Sequence, residues 1–99
     1  MKTFLQIENI LKAHKNEIYK KYKIKDIAVF GSYIKGKADE NSDIDILIEF
    51  ESDANISLIG YIGLENYLSS LLGVKVDLVE KKGLKPFIGQ HILNEAMYI

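Results

Sequence analysis

Apolar residues recur at helical spacing from the start of the chain: Phe4, Ile7, Leu11, Ile18 and Tyr22 fall on one face, with Ile10 beside them. Thr3, followed three positions later by Gln6, reads as a capping box, so a one-faced helix is predicted over 4–22. Ile27, Ala28, Val29 and Phe30 form a short apolar run stopped by Gly31, the length and composition of a buried strand. From Gly31 to Ser42 the chain is small, polar and glycine-punctuated, which predicts a turn holding at most one helical turn. Alternation resumes at Asp43. Ile44, Ile46, Ile48 and Phe50 fall on one side of a strand, and Asp43, Asp45, Leu47 and Glu49 on the other.

A polar connection over 51–56 leads to a second helix from about Ser57 to Leu72, with Gly73 as its C′ residue. Val74, Val76 and Leu78 alternate with Lys75, Asp77 and Val79 in a third strand, and Lys81-Lys82-Gly83 is a turn. Pro86 opens a final helix carrying Ile88, Ile92 and Ala96, expected to reach nearly to the C-terminus. The second and third strands, joined by a helical crossover, should be parallel neighbours with a right-handed connection. Together these elements predict one α/β (α+β) domain over 1–99, a small mixed sheet of about three to four strands flanked by helices.

Composition narrows the function classes. The 99 residues are 47% hydrophobic and 27% charged, as in an ordinary globular domain, and leave no room for a separate substrate domain. Thirteen basic residues against fourteen acidic ones give a formal charge of −1, so no sequence-independent grip on a nucleic-acid backbone is built in. All thirteen are Lys, so a phosphate would meet ammonium groups or backbone N–H groups rather than a guanidinium fork. There is no Cys, and no apolar run approaches the ~20 residues that span a bilayer. The N-terminus begins an amphipathic pattern rather than a signal peptide, and the expected location is cytoplasmic.

Asp43 and Asp45 are two apart on a strand, so both carboxylates project from one face, with Cα atoms about 7 Å apart by the strand rise. Hard oxygen ligands of this kind suit Mg²⁺, which takes one or two protein carboxylates and completes its shell with water and substrate phosphates. The apolar strand ending at Gly31-Ser32 offers a turn whose backbone N–H groups and small hydroxyl can cradle phosphate oxygens. Parallel pairing could bring Asp77 beside the first two carboxylates. Three such groups at one spot repel one another unless a cation neutralises them. Two Mg²⁺ ions roughly 3.5–4 Å apart can clamp a nucleoside triphosphate for in-line displacement. The chemistry expected is transfer of a nucleoside monophosphate, AMP from ATP.

Phe30-Gly31-Ser32-Tyr33-Ile34-Lys35-Gly36-Lys37-Ala38, then Ser42-Asp43-Ile44-Asp45-Ile46-Leu47-Ile48 and Val76-Asp77-Leu78-Val79, resemble the DNA polymerase β-like nucleotidyltransferase superfamily. Within it the chain is similar to the minimal nucleotidyltransferase (MNT) proteins, small antitoxins paired with a HEPN-domain toxin. The resemblance runs from about residue 4 to the end. It implies a polymerase β palm-like core in which Gly31 and Ser32 hold the triphosphate, and Asp43 and Asp45 bind both metals. Asp77 would complete the metal that activates the acceptor hydroxyl. Family members usually carry Arg where this chain has Lys35, which can neutralise a phosphate without gripping it bidentately. The resemblance also implies the acceptor: a hydroxyl, of a tyrosine, on a HEPN-type toxin bound in a hetero-oligomer.

The second helix is apolar over about half its circumference, wider than one core face needs. It is either wedged between the sheet and another helix or presents a partner-binding patch around Leu64, Tyr67 and Leu71. Two other functions share the fold: a non-catalytic antitoxin that occludes its partner, and transfer to a small molecule of aminoglycoside type. His14 and His91 lack a second ligand at metal spacing. Lys81, Lys82 and Lys85 fit a solvated turn.

Overall fold

The computed structural model describes residues 1–99. Its first helix, α1 (Phe4–Tyr22), starts as the capping box requires: the Thr3 hydroxyl accepts from the Gln6 N–H at 3.2 Å, and the Thr3 N–H donates to Gln6 Oε1 at 2.9 Å. Such a cap stabilises a helix by about 1 kcal/mol. Lys23, in the left-handed region at φ 52, ends it and turns the chain into β1 (Ile24–Phe30). There follow α2 (Ser32–Lys35), β2 (Ile44–Phe50), α3 (Leu58–Leu72), β3 (Val76–Glu80), a 3₁₀ turn at Lys81–Gly83, α4 (Pro86–Glu95) and β4 (Met97–Tyr98).

The four strands form one mixed sheet in the order β3-β2-β1-β4. β2 and β3 are parallel, as the crossover through α3 dictates, while β1 runs antiparallel to both β2 and β4. Two expectations shift. β1 begins at Ile24 rather than Ile27, because Ile24 pairs with Phe50 across an irregularity before Asp26. The last helix stops at Glu95, and Met97 and Tyr98 pair with Val29 and Ala28.

α1 and α3 cover one face of the sheet, where Ile27, Val29, Ile44, Ile46 and Ile48 meet Ile7, Leu11, Ile18, Leu64, Leu68 and Leu72. α4 covers part of the other face, burying Ala28, Phe30 and Leu47 beneath Ile92 and Leu93. Leu47, expected on the polar side of β2, is buried for that reason. The remainder of this second face stays open at the end of the sheet where β2 and β3 begin.

α3 also closes the outer edge of β3. Val76 N–H donates to Ser69 Oγ at 2.9 Å, Leu78 N–H donates to Glu65 Oε2 at 3.0 Å, and the Tyr61 hydroxyl donates to the Leu78 carbonyl at 2.7 Å. Backbone groups that would face solvent along the strand are thereby paired.

Candidate active site

At the open end of the sheet, Asp45 and Asp77 are register partners in the parallel β2–β3 pair. Neighbouring strands lie about 4.8 Å apart, and in a pleated sheet paired residues point to the same face. Asp77 is thereby placed where its charge acts on Asp45. Burial, then the charges of Asp77, Asp43 and Glu95, push the Asp45 carboxyl above the usual carboxylate range. Asp43, one step before β2, is exposed and leans toward Lys75, whose Nζ lies 3.9 Å from Asp43 Oδ2. The three carboxylates therefore gather on one face without closing into a ready-made set of ligands. Beside Asp43 a cleft of about 390 Å³ is bounded by Tyr33, Asn41, Ser42, Val74 and Lys75.

On the other flank of β2, Gly31 ends β1 at φ 77 and ψ −146, a conformation that side chains other than hydrogen rarely permit. A Cβ there would collide with Asp45 Oδ2. Glycine is thus required twice, by its backbone and by the carboxylate packed against it, and the turn and the acidic group form one unit. Ser32 and Lys35 follow on α2, and Ile34 and Lys35 N–H groups bond back to the Gly31 carbonyl at 3.1 Å.

A fourth acidic residue, absent from the sequence expectations, completes the surroundings. Glu95, at the end of α4, accepts from Gly31 N–H at 3.1 Å through Oε1, and its Oε2 lies 3.3 Å from Lys35 Nζ. A carboxylate in a helix's last turn faces the negative end of the helix dipole. That unfavourable placement is the one sign in the sequence that Glu95 serves something beyond its helix.

The donor set suits a hard divalent cation: all-oxygen, anionic, with one carboxyl already raised by burial and by its neighbours and so relieved by positive charge. Asp43, Asp45 and Asp77 are the groups that could hold it, given a rotation of the exposed Asp43 side chain.

The predicted partner patch fares differently. Leu64 is fully buried in the core and offers nothing to a partner. Tyr67 is half-buried where α3 leans on α1, with its ring 6.0 Å from that of Tyr22 and its hydroxyl donating to Glu17 at 3.2 Å. Leu71 packs partly against the same core. Leu64 thus takes the wedged position, while Tyr67 and Leu71 are only partly covered beside α1. The apolar residues that α3 does expose are Leu58, Ile59 and Ile62.

Residues 11–99 match the nucleotidyltransferase domain family. The chain belongs to that family. The chain is 48% identical over 99 residues to the protein adenylyltransferase MntA of Thermococcus cleftensis, spanning 100% of this chain and 98% of that protein. A chain from a crystal structure of a toxin–antitoxin with AMP-PNP is 26% identical, with a TM-score of 0.70 over 88% of this chain and 70% of that one. Another, from the structure of a tri-AMPylated Shewanella oneidensis HEPN toxin in complex with MNT antitoxin, is 26% identical with a TM-score of 0.63, over 95% and 68%. The sheet of this nucleotidyltransferase, its flanking helices and its enzyme class agree with the resemblance carried by its glycine turn and paired aspartates.

Proposed function

We propose that the chain transfers AMP from ATP to a tyrosine hydroxyl of a HEPN-type toxin and thereby silences it. The observation that supports this reading most directly is the packing of the Gly31 turn against the Asp45 carboxylate, with Asp77 as its register partner. A phosphate-binding turn and an acidic pair thus share one face. The toxin–antitoxin relatives described above bring the acceptor and donor classes with them.

In this mechanism Gly31 and Ser32 hold the triphosphate through backbone N–H groups and the Ser32 hydroxyl, and Lys35 neutralises one of its phosphates. Asp43, Asp45 and Asp77 would hold two Mg²⁺ ions, which would supply charge neutralisation along the triphosphate. The acceptor oxygen attacks the α-phosphorus, a P–O bond forms to it, and the bond from that phosphorus to the bridging oxygen breaks. Pyrophosphate leaves with the bond's electron pair, and the hydroxyl proton passes to the bulk water that reaches the exposed Asp77 side. Positioning and charge placement do the catalysis.

Incubation with labelled ATP, Mg²⁺ and the HEPN partner should label the partner, and Asp43→Asn should abolish that label. Absence of label with the wild-type chain overturns the proposal. A second reading, neutralisation by occlusion without transfer, is favoured by the exposed Leu58, Ile59 and Ile62 on α3. In that case Asp43→Asn still protects cells from the toxin, and a Lys at Ile59 or Ile62 does not.

A further inference from the structure

Glu95 binds the two groups that the proposed function gives to phosphate. Its Oε1 takes the Gly31 N–H at 3.1 Å, and its Oε2 sits 3.3 Å from Lys35 Nζ. We propose that Glu95 is a placeholder anion: its carboxylate satisfies the donors of the phosphate turn until a triphosphate displaces it. This inference rests on the nucleotide reading given above and adds to it an internal competitor for the same donors.

The chemistry of the group fits the task. A carboxylate is acceptor-only, anionic and two-pronged, so it reproduces two oxygens of a phosphate toward an N–H and an ammonium. Its location is otherwise costly, at the carboxyl end of α4 and near the Asp45 carboxyl, whose own charge Glu95 opposes. A helix gains nothing from a negative charge there, whereas an anion site left without its ligand does.

The way out is also built in. The Glu95 side chain is 25% exposed, so rotation about its own bonds can carry the carboxylate into water. The backbone on both sides is held. Ala96 N–H donates to the Ile92 carbonyl at 3.0 Å, and Met97 pairs with Val29 in the sheet. Displacement is therefore a side-chain event and leaves α4 and β4 in place. Because the competing charge acts on phosphate, it lowers affinity for any ligand bearing a triphosphate and leaves a bare nucleoside unaffected.

Calorimetric titration of the full chain with a non-hydrolysable Mg²⁺–ATP analogue, Mg²⁺–tripolyphosphate and adenosine tests this. Glu95→Gln keeps an acceptor for the Gly31 N–H and removes the charge. It should bind both triphosphates roughly threefold to tenfold more tightly than wild type, with the gain shrinking as salt is raised. Glu95→Ala, which removes both contacts, should tighten them as well. Unchanged or weaker triphosphate binding by both variants overturns the inference, as does an equal gain for adenosine. Failure of the wild-type chain to take up any triphosphate overturns the nucleotide reading itself, and that failure appears before any variant is compared.

Discussion

Asp45 and Asp77 stand opposite each other on adjacent parallel strands, where burial and then the charge of Asp77 make the Asp45 carboxyl harder to ionise. The repulsion is a standing cost of a site shaped to receive positive charge. Asp45→Asn should therefore abolish transfer, lowering the labelling rate by at least about a hundredfold, in line with losing a group that acts on developing charge. The same variant should melt slightly above wild type in metal-free buffer, by at most about 1 kcal/mol because solvent screens groups this open. Differential scanning calorimetry beside the labelling assay checks both halves. A variant that loses activity and stability together would contradict the assignment of Asp45 to function.

The raised pKa of Asp45 sets a pH dependence with a definite sign. Its folded form holds a proton more tightly than the unfolded chain, whose carboxylates titrate near about 3.9. Its contribution to stability is present in full below that value and is lost as pH rises through the folded pKa. Mg²⁺ binds the ionised form and should reverse the trend. The melting-temperature gain on adding Mg²⁺ is expected to be larger at pH 7.5 than at pH 4. An equal gain at both values would place the cation elsewhere.

Gly31→Ala should be severe. It imposes a side chain on a positive-φ residue, which costs roughly 1–3 kcal/mol, and drives a methyl group into Asp45 Oδ2. The melting temperature should drop and triphosphate binding should vanish in titration. Gly36→Ala tests the local part alone, since it also has positive φ, at 70, but has open space around its Cβ position. It should destabilise less and keep nucleotide affinity.

Leu64 and Ile59 lie on the same helix with opposite fates, one fully buried and the other 84% exposed. Leu64→Ala should cost about 2–5 kcal/mol by leaving a cavity between α3 and the sheet. Ile59→Ser should stay within about 0.5 kcal/mol of wild type. Urea denaturation followed by circular dichroism separates them, and a small effect at Leu64 would mean that α3 is not packed as described.

The carboxylates were legible because alternation is short-range: Asp43 and Asp45 had to share a face once Ile44, Ile46 and Ile48 demanded the other. The pairing of Asp77 with Asp45 followed from the parallel crossover, in which Val76 and Leu78 pair with Ile44 and Ile46 on the buried face. β4 was not legible, since two residues are too few to show a period, and Met97 and Tyr98 become a strand only because Val29 and Ala28 offer an edge. The burial of Leu64 is not legible for a related reason. An apolar arc on a helix marks burial without naming the neighbour, and here the neighbour is α1. Glu95 was missed because its contact with Gly31 crosses 64 positions of sequence.

The three side chains of α3 that bond to Val76 and Leu78 have an effect that reaches outside the molecule. An uncapped margin on so small a sheet would let copies zip together strand upon strand, a route to fibrils. With Ser69, Glu65 and Tyr61 standing where another chain's backbone would have to bond, that margin is sealed against recruitment. Crowding is thus met without lengthening the protein.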